Sequence, residues 1–183
     1  AEASRLERIT EDLLRLTRLD SGAVEPAVCV AVKPVLERAA RMLQPVAGQR
    51  EVDLTCRADE AAAVRATEGD VHQILYNLME NGVKYTAPGG FVHTSVSVEE
   101  GRVVITVSDN GIGIPAEDMP HIFERFYRVD KGRSRQIGGT GLGLSIVGDT
   151  VQRRGGEIGV APREGGGTVF TVSFPQAEPE VTA

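Results

Sequence analysis

The sequence predicts an α+β fold: a two-layer sandwich in which a mixed, mostly antiparallel sheet carries helices on one face, preceded by a short helix. Three observations lead there. Helical and strand-like stretches are interleaved without strict β-α-β alternation. Two pairs of alternating apolar runs, within 91–108 and 157–174, lie close enough to be hairpins. The 183 residues, 41% hydrophobic and 25% charged, suit one domain with its own core and are too apolar for a disordered chain.

Each element has its own pattern. Ser4 to Leu19 reads as a helix through Leu6, Ile9, Leu13 and Leu16, with Leu14 and Leu19 widening the stripe and Ser21-Gly22 ending it. One such helix cannot bury its own stripe. It is expected to pack on a partner helix outside this sequence or in another chain, or else on the domain surface. Val24 to Val32 reads as a strand. Pro34 to Gln49 reads as a helix with Val35, Leu36, Ala39, Met42, Leu43 and Val46 inward and a kink at Pro45. Val52 to Arg57 and Ala62 to Ala66 read as strands. Asp70 to Tyr85 is a strongly patterned helix, ended by Thr86-Ala87-Pro88-Gly89-Gly90. Phe91 to Val98 and Arg102 to Ser108 form a hairpin across Glu99-Glu100-Gly101. Leu142 to Arg153 is a helix stopped by Gly155-Gly156, and Glu157 to Ala161 with Thr168 to Phe174 make the last hairpin. The expected division is a helix over 1–22, a main domain over 23–175 and a disordered tail over 176–183.

Composition excludes several classes. With 20 Lys plus Arg against 26 Asp plus Glu, the net charge of −6 argues against a nucleic-acid binder. The longest apolar run, Ala27 to Val32, is far too short to cross a bilayer. Cys29 and Cys56 show neither metal-ligand spacing nor a disulfide framework; they read as small buried or half-buried apolar residues in a reducing, cytoplasmic setting. No signal peptide opens the sequence, which begins inside a helix, so the expectation is a piece of a longer protein whose membrane spans lie outside it.

Four segments carry chemistry. On a wheel at about 100° per residue, Asn77, Asn81 and Lys84 fall within an arc of roughly 60°. Val71, Leu75, Leu78 and Met79 lie opposite. Amide oxygens suit a hard cation such as Mg²⁺ that keeps waters and accompanies phosphates. Taken alone, the stripe also suits a solvated helix face. Asp109-Asn110-Gly111-Ile112-Gly113-Ile114-Pro115 follows a strand. There a carboxylate can accept from the exocyclic amine of a base, and Ile112 with Ile114 can form an apolar ledge, or the Asp can simply cap a turn. Phe123, Phe126 and Tyr127, interleaved with or followed by Arg125, Arg128, Lys131, Arg133 and Arg135 and then Gly138-Gly139, read as a basic lid over anions, clipped to the body by its aromatics. Gly139-Thr140-Gly141-Leu142-Gly143-Leu144 runs into a helix, where backbone amides and the helix dipole bind phosphate.

These segments, in this order and spacing, resemble the catalytic ATP-binding domain of bacterial two-component sensor histidine kinases, within the superfamily of gyrase, Hsp90, histidine kinase and mismatch-repair ATPases. His72 to Tyr85 resembles its N box, Asp109 to Gly113 its first glycine box, Phe123 to Arg128 its F box, and Gly139 to Leu144 its second glycine box. Gly165-Gly166-Gly167-Thr168-Val169-Phe170 resembles its final turn and strand. The resemblance covers about residues 24 to 175 and implies a Bergerat-type ATP-binding fold with ATP and Mg²⁺ as ligands. It implies that Asn81 holds Mg²⁺ with Asn77 nearby, that Lys84 meets phosphate and that Tyr85 flanks adenine. Asp109 would bind the adenine amine, with Gly111, Ile112, Gly113 and Ile114 shaping the base pocket. Arg128 would reach the γ-phosphate, and Thr140, Gly141, Leu142, Gly143 and Leu144 would line the phosphates, with Thr168 closing the site. Asn77, Lys84 and Arg128 are the candidate catalytic residues.

In the hydrolytic branches a general-base Glu stands four residues before the Mg²⁺-binding Asn; here that position is Asn77, and an amide cannot take a proton from water. The resemblance therefore implies transfer of the γ-phosphoryl group to a histidine, then to a response-regulator Asp. His72, His93 and His121 lack the phosphoacceptor context. Ser4 to Leu19 resembles the second helix of the dimerisation hairpin, so the acceptor histidine belongs upstream. The whole kinase is expected to be a homodimer and this piece a monomer. A serine-directed kinase of the anti-sigma type and a non-catalytic nucleotide-sensing module are the rival readings.

Overall fold

The computed structural model describes residues 25–129 and 140–178, together with Thr10, Leu14, Thr17, Ser21 and Gly22. The elements run β1 (Val28–Ala31), α1 (Val32–Gln49), β2 (Asp53–Ala58), β3 (Ala63–Ala66), α2 (Glu68–Tyr85), β4 (Phe91–Glu99), β5 (Arg102–Asp109), a 3₁₀ turn (Met119–His121), α3 (Gly143–Arg153), β6 (Glu157–Pro162) and β7 (Thr168–Pro175). Five strands form one sheet in the order β2-β4-β5-β7-β6, and β1 pairs with β3 in a separate two-stranded sheet. Only β2 and β4 run parallel; the other neighbours are antiparallel.

Strand periodicity decides which face is covered. Val92, Val96, Val103, Ile105, Val107, Phe170, Val172 and Phe174 are buried on one face, where α1, α2 and α3 add Leu36, Leu43, Leu75, Leu78, Met79 and Val147. The alternate positions, among them His93, Ser95, Ser97, Thr106 and Thr171, are exposed or half-buried and polar. The β4–β5 turn has Glu100 at φ 49° and Gly101 at φ 75°. Two consecutive left-handed residues are what a two-residue hairpin needs to follow the strand twist.

The elements expected within 24–175 are present with shifted ends, and four expectations change; the helix expected over Ser4 to Leu19 lies largely outside the described residues. First, α1 begins at Val32, whose N–H donates to Ala62 O at 2.9 Å. Pro34 then falls in the first turn, where a missing N–H costs nothing. The helix continues through Pro45 to Gln49, so only the Arg41 carbonyl forfeits a partner to the ring. Second, Met42 is 56% and Val46 43% exposed, against the inward placement expected. The buried stripe centres on Leu36, Ala39 and Leu43 and takes in Ala40 and Ala47, which leaves Met42 and Val46 at its margin. Third, Cys29 is half-buried as expected but Cys56 is exposed, because β2 is an edge strand whose cover ends near Leu54. Fourth, the tail expected to be disordered from 176 starts ordered. Gln176 N–H donates to Gly101 O at 2.9 Å, Ala177 N–H donates to Ala63 O at 2.8 Å, and Ala177 is buried.

Arg154 fastens the chain at Glu25, two residues before the point where Arg65 Nη2 donates to Ala27 O at 3.2 Å. Thr67 caps α2 in a capping box with Asp70. The same Asp70 carboxylate accepts from Arg154 Nε at 2.6 Å, and Arg154 Nη1 donates to Glu25 O at 3.0 Å. Arg154 is 7% exposed, so one guanidinium joins the end of α3, the start of α2 and the chain at Glu25 in a largely dry setting. Among the described residues no helix is long and apolar enough to cross a membrane.

Candidate functional site

The site lies where the polar stripe of α2, the loop after β5 and the first turn of α3 meet. Val71, Ile74, Leu75, Leu78 and Met79 bury one side of α2. That leaves Asn77, Asn81 and Lys84 half-buried on another. Asn77 Nδ2 donates to Gly143 O at 3.4 Å. The carbonyl can only accept, so the nitrogen must face it and the amide oxygen is left for another partner. A Cβ on Gly143 would stand 3.7 Å from that amide, in ordinary contact, so the start of α3 lies against Asn77 without crowding it. Among the described residues no side chain caps α3, and Leu142, which precedes it, is buried with Ile146 as a small separate cluster. The first amides of α3 therefore open beside Asn77, an arrangement suited to an anion.

Asp109 ends β5 and is 6% exposed. Its Oδ1 accepts from Gly111 N–H at 2.9 Å. Burial raises its carboxyl above the ordinary range, while the Gly111 and Thr168 N–H groups and the Arg163 charge pull it partway down. A Cβ on Gly111 would stand 2.5 Å from Tyr85 O and 3.0 Å from both Asp109 Oδ1 and Thr86 Oγ1, so only glycine lets the loop lie against the end of α2. Ile112 N–H donates to Tyr85 O at 3.1 Å, and Arg50 covers the neighbouring carbonyls, Nε to Val83 O at 3.1 Å and Nη2 to Lys84 O at 2.8 Å. Gly167, at φ 104°, packs so closely behind that a Cβ would meet Asp109 O at 2.0 Å. This places Thr168 beside Asp109.

The basic segment is described only as far as Val129; Lys131, Arg133, Arg135, Gly138 and Gly139 lie outside the described residues. Within it the aromatics do not form one cluster. Phe123 packs edge-on against Phe170 with centroids 6.4 Å apart and also touches Gly148. Phe126 is 63% exposed at φ 64°, its N–H donating to Gly141 O at 2.9 Å, and Tyr127 bonds Asp118. Arg128 stands near Tyr85. Burial pushes the Tyr85 phenol up, and the Arg128 charge pulls it back. Arg128 Nη2 is buried with no hydrogen-bond partner among the described residues, an arrangement that costs free energy unless an anion pairs with it. The Ile112–Ile114 ledge is divided: Ile112 is 67% exposed, whereas Ile114 packs on the core.

The structure thus brings together Asn77, Gly143 and Leu142; Tyr85, Gly111, Ile112, Asp109 and Thr168; and Arg128 with Tyr85. Lys84 Nζ stands 5.3 Å from the Tyr85 ring centroid. Thr140 Oγ1 accepts from Leu142 N–H at 3.2 Å. Sequence reasoning missed Arg50 and Thr86. Arg50 caps a helix more than thirty residues away, and no local pattern marks that. Thr86 was absorbed into the turn after α2.

The residues present fit a nucleotide with a divalent cation. The buried carboxylate suits a base amine, and the orphaned Arg128 nitrogen and the open α3 amides suit phosphates. Among the described residues no group of three His, Cys, Asp or Glu could hold a metal, so a cation at the asparagine stripe would rest on amide oxygens, waters and the phosphates themselves.

Comparison with known proteins agrees. Residues 66–178 match the family described as histidine kinase-, DNA gyrase B-, and HSP90-like ATPase. Sensor histidine kinase WalK of Bacillus subtilis is 36% identical over 180 residues, 97% of this chain and 30% of its own length. The probable sensor histidine kinase TcrY of Mycobacterium tuberculosis is 39% identical over 178 residues, 96% of this chain and 36% of its own. The chain spans about a third of these relatives. Full-length ShkA in complex with AMPPNP superposes with a TM-score of 0.83 at 30% identity, covering 96% of this chain and 37% of that one. The mycobacterial sensor histidine kinase MprB superposes with a TM-score of 0.69 at 25% identity, covering 82% of this chain and 97% of that one. With the family match extending over more than half its length, this chain belongs to the histidine kinase-, DNA gyrase B- and HSP90-like ATPases.

Proposed function

We propose that this chain is the catalytic, ATP-binding part of a two-component sensor histidine kinase, which binds MgATP and donates the γ-phosphoryl group to a histidine elsewhere in the parent protein, for relay to a response-regulator aspartate. The observation that carries the reading is the Asn77–Gly143 junction. It sets a stripe of neutral amides and one lysine against the open amides of α3, with an amide and no carboxylate at the position from which water would be deprotonated. A full-length relative holding AMPPNP supports the nucleotide.

In this reading the Asp109 carboxylate accepts a hydrogen bond from the adenine N6 amine, and Tyr85, Gly111, Ile112, Gly113 and Ile114 border the base. Asn81 and Asn77 would hold Mg²⁺, which would neutralise phosphate charge. Lys84, Arg128 and the backbone of Thr140, Gly141, Leu142, Gly143 and Leu144 hold the phosphates. A histidine ring nitrogen forms a bond to the γ-phosphorus as the bond to the β–γ bridging oxygen breaks. ADP leaves with that oxygen, and Arg128 and the α3 amides steady the charge that moves onto the phosphates.

The test is calorimetric titration with a non-hydrolysable ATP analogue, with and without Mg²⁺, against a GTP analogue. Mg²⁺-dependent, adenine-selective binding is expected. No binding by the folded protein would overturn the reading.

A further inference from the structure

The side chain that follows Tyr85 has no part in the roles assigned above. Thr86 is 3% exposed, and its Oγ1 is buried with no hydrogen-bond partner among the described residues. A hydroxyl in such a place is normally paired. Two glycines fix where it points. On one side Gly90 makes room for the Thr86 methyl: a Cβ there would stand 2.3 Å from Cγ2. A β-branched side chain with its methyl seated has one χ1 position left for its oxygen. On the other side Oγ1 lies 3.0 Å from the point a Gly111 Cβ would occupy, and Asp109 Oδ1 lies 3.0 Å from the same point. The hydroxyl and the carboxylate therefore face the same side of Gly111, within about 6 Å of each other, and Oδ1 is already taken by Gly111 N–H at 2.9 Å.

We propose that Thr86 is a specificity-determining residue for the base: its hydroxyl donates to an unprotonated ring nitrogen next to the amine that Asp109 accepts from, directly or through one ordered water. The inference rests on the reading of the site as an adenine pocket. A carboxylate alone demands a donor from the ligand. A hydroxyl beside it adds the demand for an acceptor, and adenine offers that pair, an amine next to an unprotonated ring nitrogen. Guanine offers a carbonyl where the carboxylate needs a donor. A base lacking the matching group leaves a buried polar atom unpaired, which is the physical origin of strong discrimination.

The test compares the wild type, Thr86→Val and Thr86→Ser. Valine keeps the shape and removes the donor; serine keeps the donor. Each is titrated with MgADP, 1-deaza-ADP and 7-deaza-ADP, which replace one ring nitrogen by a carbon. Thr86→Val is expected to bind MgADP about tenfold more weakly, the size of one lost neutral hydrogen bond. The penalty for one deaza analogue, present in the wild type, is expected to vanish in Thr86→Val and return in Thr86→Ser. A Thr86→Val protein that binds MgADP as the wild type does, or that keeps the full deaza penalty, overturns the inference while leaving the adenine pocket standing. A folded wild type that fails to bind MgADP overturns the adenine reading and this inference with it.

Discussion

Burial at the end of β5 raises the Asp109 carboxyl above its ordinary value of 3.8, and two pH dependences of opposite sign follow. In the proposed site nucleotide binding needs the ionised form, so affinity is expected to fall on acidification, and Asp109→Asn should abolish that acid limb along with adenine selectivity. Stability runs the other way. The folded state holds this proton more tightly than the unfolded chain, so the group's contribution is complete below the unfolded value and is lost as pH rises through the raised one. Chemical denaturation of the ligand-free protein should therefore show Asp109→Asn gaining on the wild type between acid and neutral pH. Asn81→Ala is expected to remove Mg²⁺-dependent affinity at little cost to the fold, since Asn81 is only half-buried; equal affinity with and without Mg²⁺ in that variant is the result to look for. These residues were legible because their chemistry is unusual for where they stand: an asparagine pair on a core helix, an aspartate between a strand and glycines. Thr86 and Arg50 were not legible. Their roles depend on which glycine or carbonyl the fold sets opposite them, and composition does not carry that information.

At the scale of elements, periodicity located every strand and helix of the described region but misjudged margins. A helical stripe marks a direction, not its width, and the partner decides the width: alanines at 40 and 47 let α1 sit close, so the longer Met42 and Val46 were left outside. Pairing was less legible still. β1 joins β3, and β2 lies parallel to β4 across the whole of α2, because loop-separated strands carry no mark of their neighbours. The Arg154 clasp belongs to this scale. Arg154→Met keeps much of the apolar stem and removes the charge, leaving Asp70 27% exposed without its partner. About 2–3 kcal/mol of stability should be lost, seen as a lower urea midpoint at constant slope. Asp70→Asn combined with it should cost less than the two singly, as expected for residues in contact.

For the molecule as a whole, the site draws on residues 77, 109 and 143, from three segments that meet only when the sheet and all three helices are in place. Binding is then binding to the native state alone. A nucleotide analogue with Mg²⁺ at a hundred times its Kd should add about 2.7 kcal/mol. For a domain of this size that is a rise in Tm of roughly 5–10 °C, absent in Asp109→Ala. None of the three histidines suits phosphoryl transfer. His93 is bonded to Thr55 on the outer sheet face, His121 to Glu124, and His72 stacks on Tyr76. Incubation with labelled ATP is therefore expected to leave no acid-labile phosphate on this chain. Under the proposed function, a longer polypeptide that carries an acceptor histidine should acquire it.

The grip of Arg154 on Glu25 also defines a load path. Traction or torsion arriving at residue 25 bears on the Arg154 guanidinium, and from there on the base of α2 and the far end of α3 together, before it reaches the Arg65 contact at Ala27. The weakest joint in that path is the single bond to the Glu25 carbonyl, so a strong pull would part that bond first. A gentle twist would reach the two helices that meet at Asn77 and Gly143 with the bond still made.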